Sequence, residues 1–577
     1  MNVENKNANQ FTGFCVYLST YKRILLWLPA FLFLLSFFFY PLTKIISLTF
    51  DFSTLTNENN LLITRNSLLF TFYQAALSTI LTFILGIPSA ILFSKFDFHG
   101  KSLLRALTAI PFMLPTVVVA AAFNAFLGSR GLIPLLSSFL FPQLTDYWLL
   151  ITDYFQPATF NFILILLAHV FYNTTIVIRI VGNAISQLDS RLENSARVLG
   201  ADLFRTWRYV TFPLLQPALL ASALLVFMFN FTSFGVILLL GGSNFSTLEV
   251  EIYIRALQLP NLNLAAMLSI IQLFFTLIFS IFYTRTINKV STQTSQNFSQ
   301  PKKPKTFKEK IFVTALCLLL SAFFILPLLS LPIRSLTRLE ADRGQRDQIQ
   351  YGFTTEYYQE LFINRRNSLF YVPPFQATIN SLSYAGITVL FSLAIGYPVA
   401  VALAKPTQLE KFLDPLLLLP LGSSAVMLGL GFIISFGRLI SSPFFVPIAH
   451  TLIALPFVIR TLQPAIKSIP EKIRQAASTL GASPFRVWQT IDFPILSRAT
   501  LTAATFAFTI SLGEFGATLL INRPEYPTIP IAIQRFLSQP GGLNYGQAMA
   551  MATLLMIITT ISILFIEKLR LNQNGEF

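Results

Sequence analysis

The chain has 577 residues, of which 54% are hydrophobic, 14% aromatic and 11% charged, with 59 phenylalanines. Soluble domains carry about a quarter charged residues, which excludes a soluble protein; apolar runs of the ~20 residues that cross a bilayer exclude a β-barrel, which needs short alternating segments. The formal net charge of +16 would suit nucleic acid, but the Lys and Arg residues stand in loops between apolar runs, so the bilayer is the expected partner and nucleic acid is not.

The chain begins with a polar segment, 1–22, that carries no cleavage pattern, and the first apolar run is too long for a signal peptide. Spans are predicted near Ile24–Leu48, Ser67–Phe93, Leu103–Leu127, Phe160–Gly182, Pro213–Leu240 and Leu264–Tyr283. A polar linker, 285–310, reads as flexible. A second set follows near Ile311–Ile333, Leu382–Ala404, Leu413–Phe436, Pro443–Gln463, Pro494–Ile521 and Gln547–Ile566. The reading is an all-α polytopic membrane protein of about twelve spans, with one six-span domain over 23–284, another over 311–567 and a tail at 568–577. Cys15 and Cys317 are the two cysteines; neither neighbours a His or another Cys, so neither a disulfide framework nor a metal site is expected.

Basic residues cluster in alternate loops: Lys22 and Arg23; Lys95, Lys101 and Arg105; Arg191, Arg197, Arg205 and Arg208; Arg285 to Lys305; Lys467, Lys472, Arg474 and Arg486; Lys568 and Arg570. By the positive-inside rule these loops and both termini are cytoplasmic.

The halves repeat one another. Glu193 to Pro213 and Arg474 to Pro494 are polar islands whose glycines, Gly200 and Gly481, lie 481 − 200 = 281 positions apart. At that offset Trp207 meets Trp488, His169 meets His450, Val177-Ile178-Arg179 meets Val458-Ile459-Arg460, and Ser233-Phe234-Gly235 meets Glu514-Phe515-Gly516. Six spans per half keep the repeats parallel, related by a pseudo-two-fold axis along the membrane normal, with a path or site between them.

Each island is predicted to form a short helix, a turn and a second helix. Ser190 with Glu193, and Ser468 with Glu471, have capping-box spacing. Gly200 and Gly481 suit a helix-ending turn with positive φ. Asp202, and Ser483 followed by Pro484, suit the next helix start. Pro213 and Pro494 suit the first turn of the following span, and Trp207 and Trp488 an interfacial position.

These islands resemble the "EAA" loop of ABC-importer permeases, in which E-A-A is followed by three residues, Gly, nine residues and I-x-L-P. Gly200 and Gly481 match the Gly, Val210 and Ile491 the Ile, and Phe212-Pro213 and Phe493-Pro494 the L-P, while the first letters read Asn194-Ser195-Ala196 and Gln475-Ala476-Ala477. The resemblance implies a type I importer-like fold, with both membrane domains fused in one chain. It implies a bacterial inner-membrane location, two copies of a cytoplasmic ABC ATPase, an extracytoplasmic binding protein and a loop that docks into the ATPase. The residues it assigns to docking are Ala196, Gly200, Ala201, Asp202, Arg205 and Pro213, with Ala476, Ala477, Gly481, Ala482, Ser483, Arg486 and Pro494. Relatives of this build handle thiamine and iron(III); His169 to Asn173, Ser233 to Gly242 and Ala265 to Leu268 look most similar to thiamine permeases.

An ATPase site within the chain is not expected. The one P-loop-like tail, Gly100-Lys101-Ser102, has Lys95 where the first Gly belongs, so no cofactor is assigned to this chain. Ionisable groups in spans default to functional candidates. Glu514, expected toward the cytoplasmic third of its span and bonded to the neighbouring repeat, reads as structural or gating, with substrate contact as the alternative; His169 and His450 read as helix packing, with metal or ligand binding as the alternative, and both, with Asn173, as path or gate; Arg179 and Arg460 read as snorkelling. Gly429 and Gly431 read as close helix packing. A secondary transporter would need coupling carboxylates, and Glu514 is nearly alone. An intramembrane enzyme would need catalytic partners for His169 and His450 at motif spacing, and an assembly factor would leave the repeated island unexplained.

Overall fold

The computed structural model describes residues 24–50, 56–133, 157–242, 245–292, 301–338, 352–364 and 372–571. The N-terminal segment 1–22 with Cys15, the middle of the linker, most of the loop before Thr159, parts of the loop 334–374 and residues 572–577 lie outside the described residues. A bilayer offers no water to backbone amides, so spans must pair them internally as helices. Among the described residues the regular elements are helices, with two isolated backbone bridges, Phe96 with Lys302 and Thr337 with Phe353.

Among the described residues, ten helices are long and apolar enough to cross a membrane, and two bent pairs bring the number to twelve. In the first half these are α1 (Ile24–Thr49), α2 (Glu58–Lys95), the pair α3 (Lys101–Met113) and α4 (Thr116–Leu127), and α5 (Thr159–Ser186). After the short α6 (Ser190–Val198) come α7 (Phe204–Phe231), the short α8 (Gly235–Gly241) and α9 (Leu248–Tyr253), and α10 (Leu262–Ile287). The second half has α11 (Phe307–Ser335), the short α12 (Glu356–Glu360), α13 (Gln376–Ala404), the pair α14 (Gln408–Pro420) and α15 (Ala425–Ser441), and α16 (Phe445–Ser468). It closes with the short α17 (Glu471–Thr479), α18 (Phe485–Gly513), the short α19 (Gly516–Ile521) and α20 (Ile529–Leu537), and α21 (Gly542–Phe565).

Three sequence expectations are corrected. The third span of each half is bent, by 112° between α3 and α4 and by 91° between α14 and α15. Pro115 forces Leu114 into an extended conformation, ψ 146°, which stops the helix. Ser424 restarts α15 by accepting a hydrogen bond from the Met427 amide at 2.9 Å. The fifth spans do not run through to Leu240 and Ile521: they end at Phe231 and Gly513, and α8 and α19 are separate helices. The described parts of the linker are ordered. The helix of α10 continues to Thr292, and Lys302 is fixed by bonds to the Lys95 carbonyl (2.9 Å) and the Asp97 amide (3.0 Å). Thr306 and Glu309 then form a capping box that starts α11.

The contacts group the helices into two units that do not follow chain order. One gathers α1, α13 to α19 and the end of α21. Its α1 lies against α15 and α16, where Phe37 meets Phe432 and Phe445 and a Cβ on Gly431 would stand 2.9 Å from Pro41. Gly429 likewise lets α15 approach the Ala517 backbone of α19. The other unit gathers α2 to α12, α20 and most of α21. Its α11 packs on α3 and α4, with the Ser330 hydroxyl donating to the Ala122 carbonyl at 3.1 Å. Phe72, Phe227, Phe231, Phe275 and Phe279 interlock there, with the Phe227 and Phe279 centroids 5.1 Å apart.

The same crossing braces each unit. A Cβ on Gly86 of α2 would stand 2.7 Å from Val177 Cβ of α5, and one on Gly396 of α13 would stand 3.1 Å from the repeat-equivalent Val458 of α16. Gly86→Ala is therefore expected to destabilise the protein by about 1–3 kcal/mol through overpacking, read as a lowered midpoint of thermal unfolding in detergent. Adding Val177→Ala should recover part of that loss; a double variant no better than the single one would locate the strain elsewhere.

Candidate functional site

The islands form the same knob twice. Ending α6, the Gly200 amide bonds to the Arg197 carbonyl and the Ala201 amide to the Ala196 carbonyl, both at 3.0 Å. Ending α17, the Gly481 amide bonds to Ser478 (3.0 Å) and the Ala482 amide to Ala477 (3.1 Å). This is the Schellman turn, and it needs the positive φ of Gly200 (85°) and Gly481 (81°). Asp202 then accepts from the Arg205 amide at 2.6 Å and Ser483 from the Arg486 amide at 3.4 Å, which starts the next helix as the sequence predicts.

The expected capping boxes are not what starts α6 and α17. Asp189 caps α6, accepting from the Arg191 amide at 2.8 Å, because its backbone is already extended there. Pro470 precedes α17 without a side-chain cap, and the Ser468 hydroxyl donates to Ala465 instead.

The span helices begin inside the knobs, several residues before the prolines. Trp207–Thr211 and Trp488–Asp492 are single π-helical turns, closed by bonds from the Phe212 amide to the Trp207 carbonyl and from Phe493 to Trp488. Pro213 and Pro494 have no amide to give and would crowd the carbonyl four residues back; the widened turn accommodates them and keeps the helix continuous. Each knob thus merges into its span. Its outer surface is apolar at the tip: Leu199 and Leu480 are each 88% exposed, and Phe204 and Phe485 are exposed beside them. Arg205 and Arg486 are also exposed, whereas Ala196 and Ala477 are half-buried.

The residues predicted within spans lie in buried helix junctions. His169 hydrogen-bonds Ser78 and Ser233 through its two ring nitrogens, both at 2.9 Å. One helical turn on, Asn173 donates to the Asn230 side chain at 2.7 Å. His450 hydrogen-bonds Ser511 (2.7 Å) and Thr518 (2.8 Å) and stands 3.2 Å from the Glu514 carboxylate. Glu514 lies at the end of its span away from the knob. It follows the last residue of α18, about 30 Å along the helix from Pro494, and it bonds within its own repeat. Its carboxylate accepts from the Ala517 (2.8 Å) and Thr518 (3.0 Å) amides and so caps α19. Arg460 does not simply snorkel: it pairs with Asp414 of α14 at 2.9 Å.

The sequence reading missed Glu249 and Glu251. Both are buried on α9, Glu249 accepting from Gln272 and Glu251 pairing with Arg255 at 2.6 Å. The signal was the run Leu248-Glu249-Val250-Glu251, whose carboxylates become Pro530 and Ala532 at the repeat offset. A segment taken for a loop between spans concealed it.

Comparison with known proteins agrees with this architecture. The family described as "Binding-protein-dependent transport system inner membrane component" matches residues 83–292 and 392–569. A probable ABC transporter permease of Sinorhizobium fredii is 24% identical over 89% of this chain and 89% of its own length. The thiamine transport system permease protein ThiP of Brucella abortus is 25% identical over 85% of this chain and 84% of its own length, and that of Escherichia coli 24% over 87% and 88%. The molybdenum transport system permease protein ModB of Escherichia coli is 34% identical over 30% of this chain and 82% of its own length.

Where the first half has Ser233, the second has Glu514, which serves two amides and an imidazole. Glu514→Ala strands the two amides and should cost about 3 kcal/mol or more. Ser233→Ala removes one neutral bond and should cost about 1 kcal/mol. Equal shifts of the two variants in denaturant unfolding would contradict the capping role of Glu514.

Proposed function

Because the chain belongs to the family of binding-protein-dependent transport system inner membrane components, we propose that this multi-pass permease is the membrane part of an ATP-driven importer, with both membrane domains in one chain. The observation that carries this reading is the duplicated knob. A large apolar side chain at the tip of a polar loop is a docking surface in search of a partner, and here the same turn presents one twice. Two knobs fit two copies of a cytoplasmic ABC ATPase, whose closure on ATP would push them. The continuity of each knob with its span carries that push into the membrane. The loop-by-loop distribution of Lys and Arg supports an inner-membrane orientation with knobs and termini in the cytoplasm. Solute then arrives from an extracytoplasmic binding protein. His169, Asn173, His450 and Glu514, each engaged in a junction between helices, fit gate joints better than solute ligands.

We take the solute to be thiamine or a related small cation. Thiamine permeases of several bacteria align over most of this chain and most of their own length. The alternative within this build is iron(III).

Apart from its two chain neighbours, no described residue comes within 4 Å of a Cβ built on Gly481, so a side chain there is opposed by the backbone turn and by whatever docks. Gly481→Val should insert normally yet lose ATPase retention and reduce uptake roughly ten-fold, while Gly481→Asn, which tolerates positive φ, should retain more of both. Wild-type retention and uptake in Gly481→Val would overturn the docking role. For the solute, the binding protein that pairs with this permease should be stabilised against heat by thiamine; stabilisation by iron(III) alone would move the assignment.

A further inference from the structure

Each knob is joined to its span by a second link that the chain trace does not require. In the first, the Thr211 hydroxyl donates to the Glu193 carboxylate at 2.8 Å. In the second, Arg474 Nε donates to the Asp492 carboxylate at 2.8 Å. At the repeat offset of 281, Glu193 corresponds to Arg474 and Thr211 to Asp492. The link is therefore kept in place while its chemistry is exchanged: the acidic group sits on the knob helix in one copy and on the π turn in the other.

The mechanical context makes the link matter. Without it, α6 and α17 would be tied to the spans that follow them by the glycine turn alone, closed by two backbone hydrogen bonds. A single tie passes on a push less well than two. Thr211 and Asp492 are the last residues of the π turns, immediately before Phe212-Pro213 and Phe493-Pro494. The link therefore closes a triangle of knob helix, glycine turn and widened span entry. The pair Arg474–Asp492 is largely shielded from solvent, with side chains 26% and 15% exposed, so it is worth more than an open surface ion pair.

Resting on the proposed function, we propose that Glu193 with Thr211, and Arg474 with Asp492, are positioning pairs that lock each knob to its span, so that force entering at the knob reaches the membrane. The two locks are unequal: one is an ion pair, the other a carboxylate–hydroxyl bond.

The repeat supplies its own test. Arg474→Glu sets a carboxylate against Asp492, and Arg474→Glu with Asp492→Thr copies the first knob's pair into the second. In the complex reconstituted with its ATPase and binding protein, solute moved per ATP hydrolysed should fall roughly ten-fold in the single variant and return to within about two-fold of wild type in the double. ATPase retention and hydrolysis should stay unchanged in both, while the thermal midpoint should fall in the single variant, where two carboxylates meet, and recover in the double. A double variant as uncoupled as the single one, or loss of hydrolysis in step with uptake, would overturn the lock while leaving the docking role intact. A wild-type complex that retains no ATPase would overturn the functional reading, and the lock with it.

Discussion

Inside a bilayer core nothing but the protein itself can take up a backbone amide released by an interrupted helix, and the interruptions in these spans are built around that constraint. At the bend between α3 and α4 the first residue past the break is Pro115, which has no amide to satisfy. At the corresponding bend before α15, the hydroxyl of Ser424 takes the Met427 amide. After α18 the Glu514 carboxylate takes two amides at once, and His450, held by Ser511 and Thr518, stands against it. A carboxylate deep in an apolar helix bundle is costly in isolation; here its oxygens are engaged by the helix it caps.

Outside the membrane the constraint reverses. Water satisfies exposed amides, and the difficulty is to hold a small loop rigid. The two knobs solve it with the same backbone: a Schellman turn at glycine, a side-chain cap on the following residue, and a π turn that admits proline into the span helix. They use different side chains around that backbone. Glu193 and Thr211 in one become Arg474 and Asp492 in the other, and Asp202 becomes Ser483. Repeats within one chain can diverge in this way because each knob has to suit only its own span.

Much of this was legible in the sequence because it rests on local chemistry. Gly200 and Gly481 announced positive φ, Asp202 and Ser483 announced helix starts, and the apolar runs announced spans. The misreadings fell where two local signals competed or where tertiary packing decided. Ser190 and Ser468 had capping-box spacing, yet Asp189 and Pro470, one residue before their helices, took the position. Pro115 lay inside a long apolar run whose hydropathy masked the bend. Glu249 and Glu251 lay in a segment read as a loop between spans, and in the fold they are buried with Gln272 and Arg255 as partners.

By itself the sequence determined the class, the duplicated architecture and the shape of each knob, since composition, the 281-residue register and glycine or proline chemistry act through neighbouring residues. The tertiary structure decided the rest. It placed α1 with the helices of the second half and α11 with those of the first, because an apolar helix accepts any complementary surface and Gly431 happens to leave room for Pro41. It brought Gly86 onto Val177 and Gly396 onto Val458, pairs whose glycines and valines repeat at different offsets and so share no register in the chain. It also joined Arg474 to Asp492 and Glu193 to Thr211, contacts across a turn that become visible only once the turn is folded.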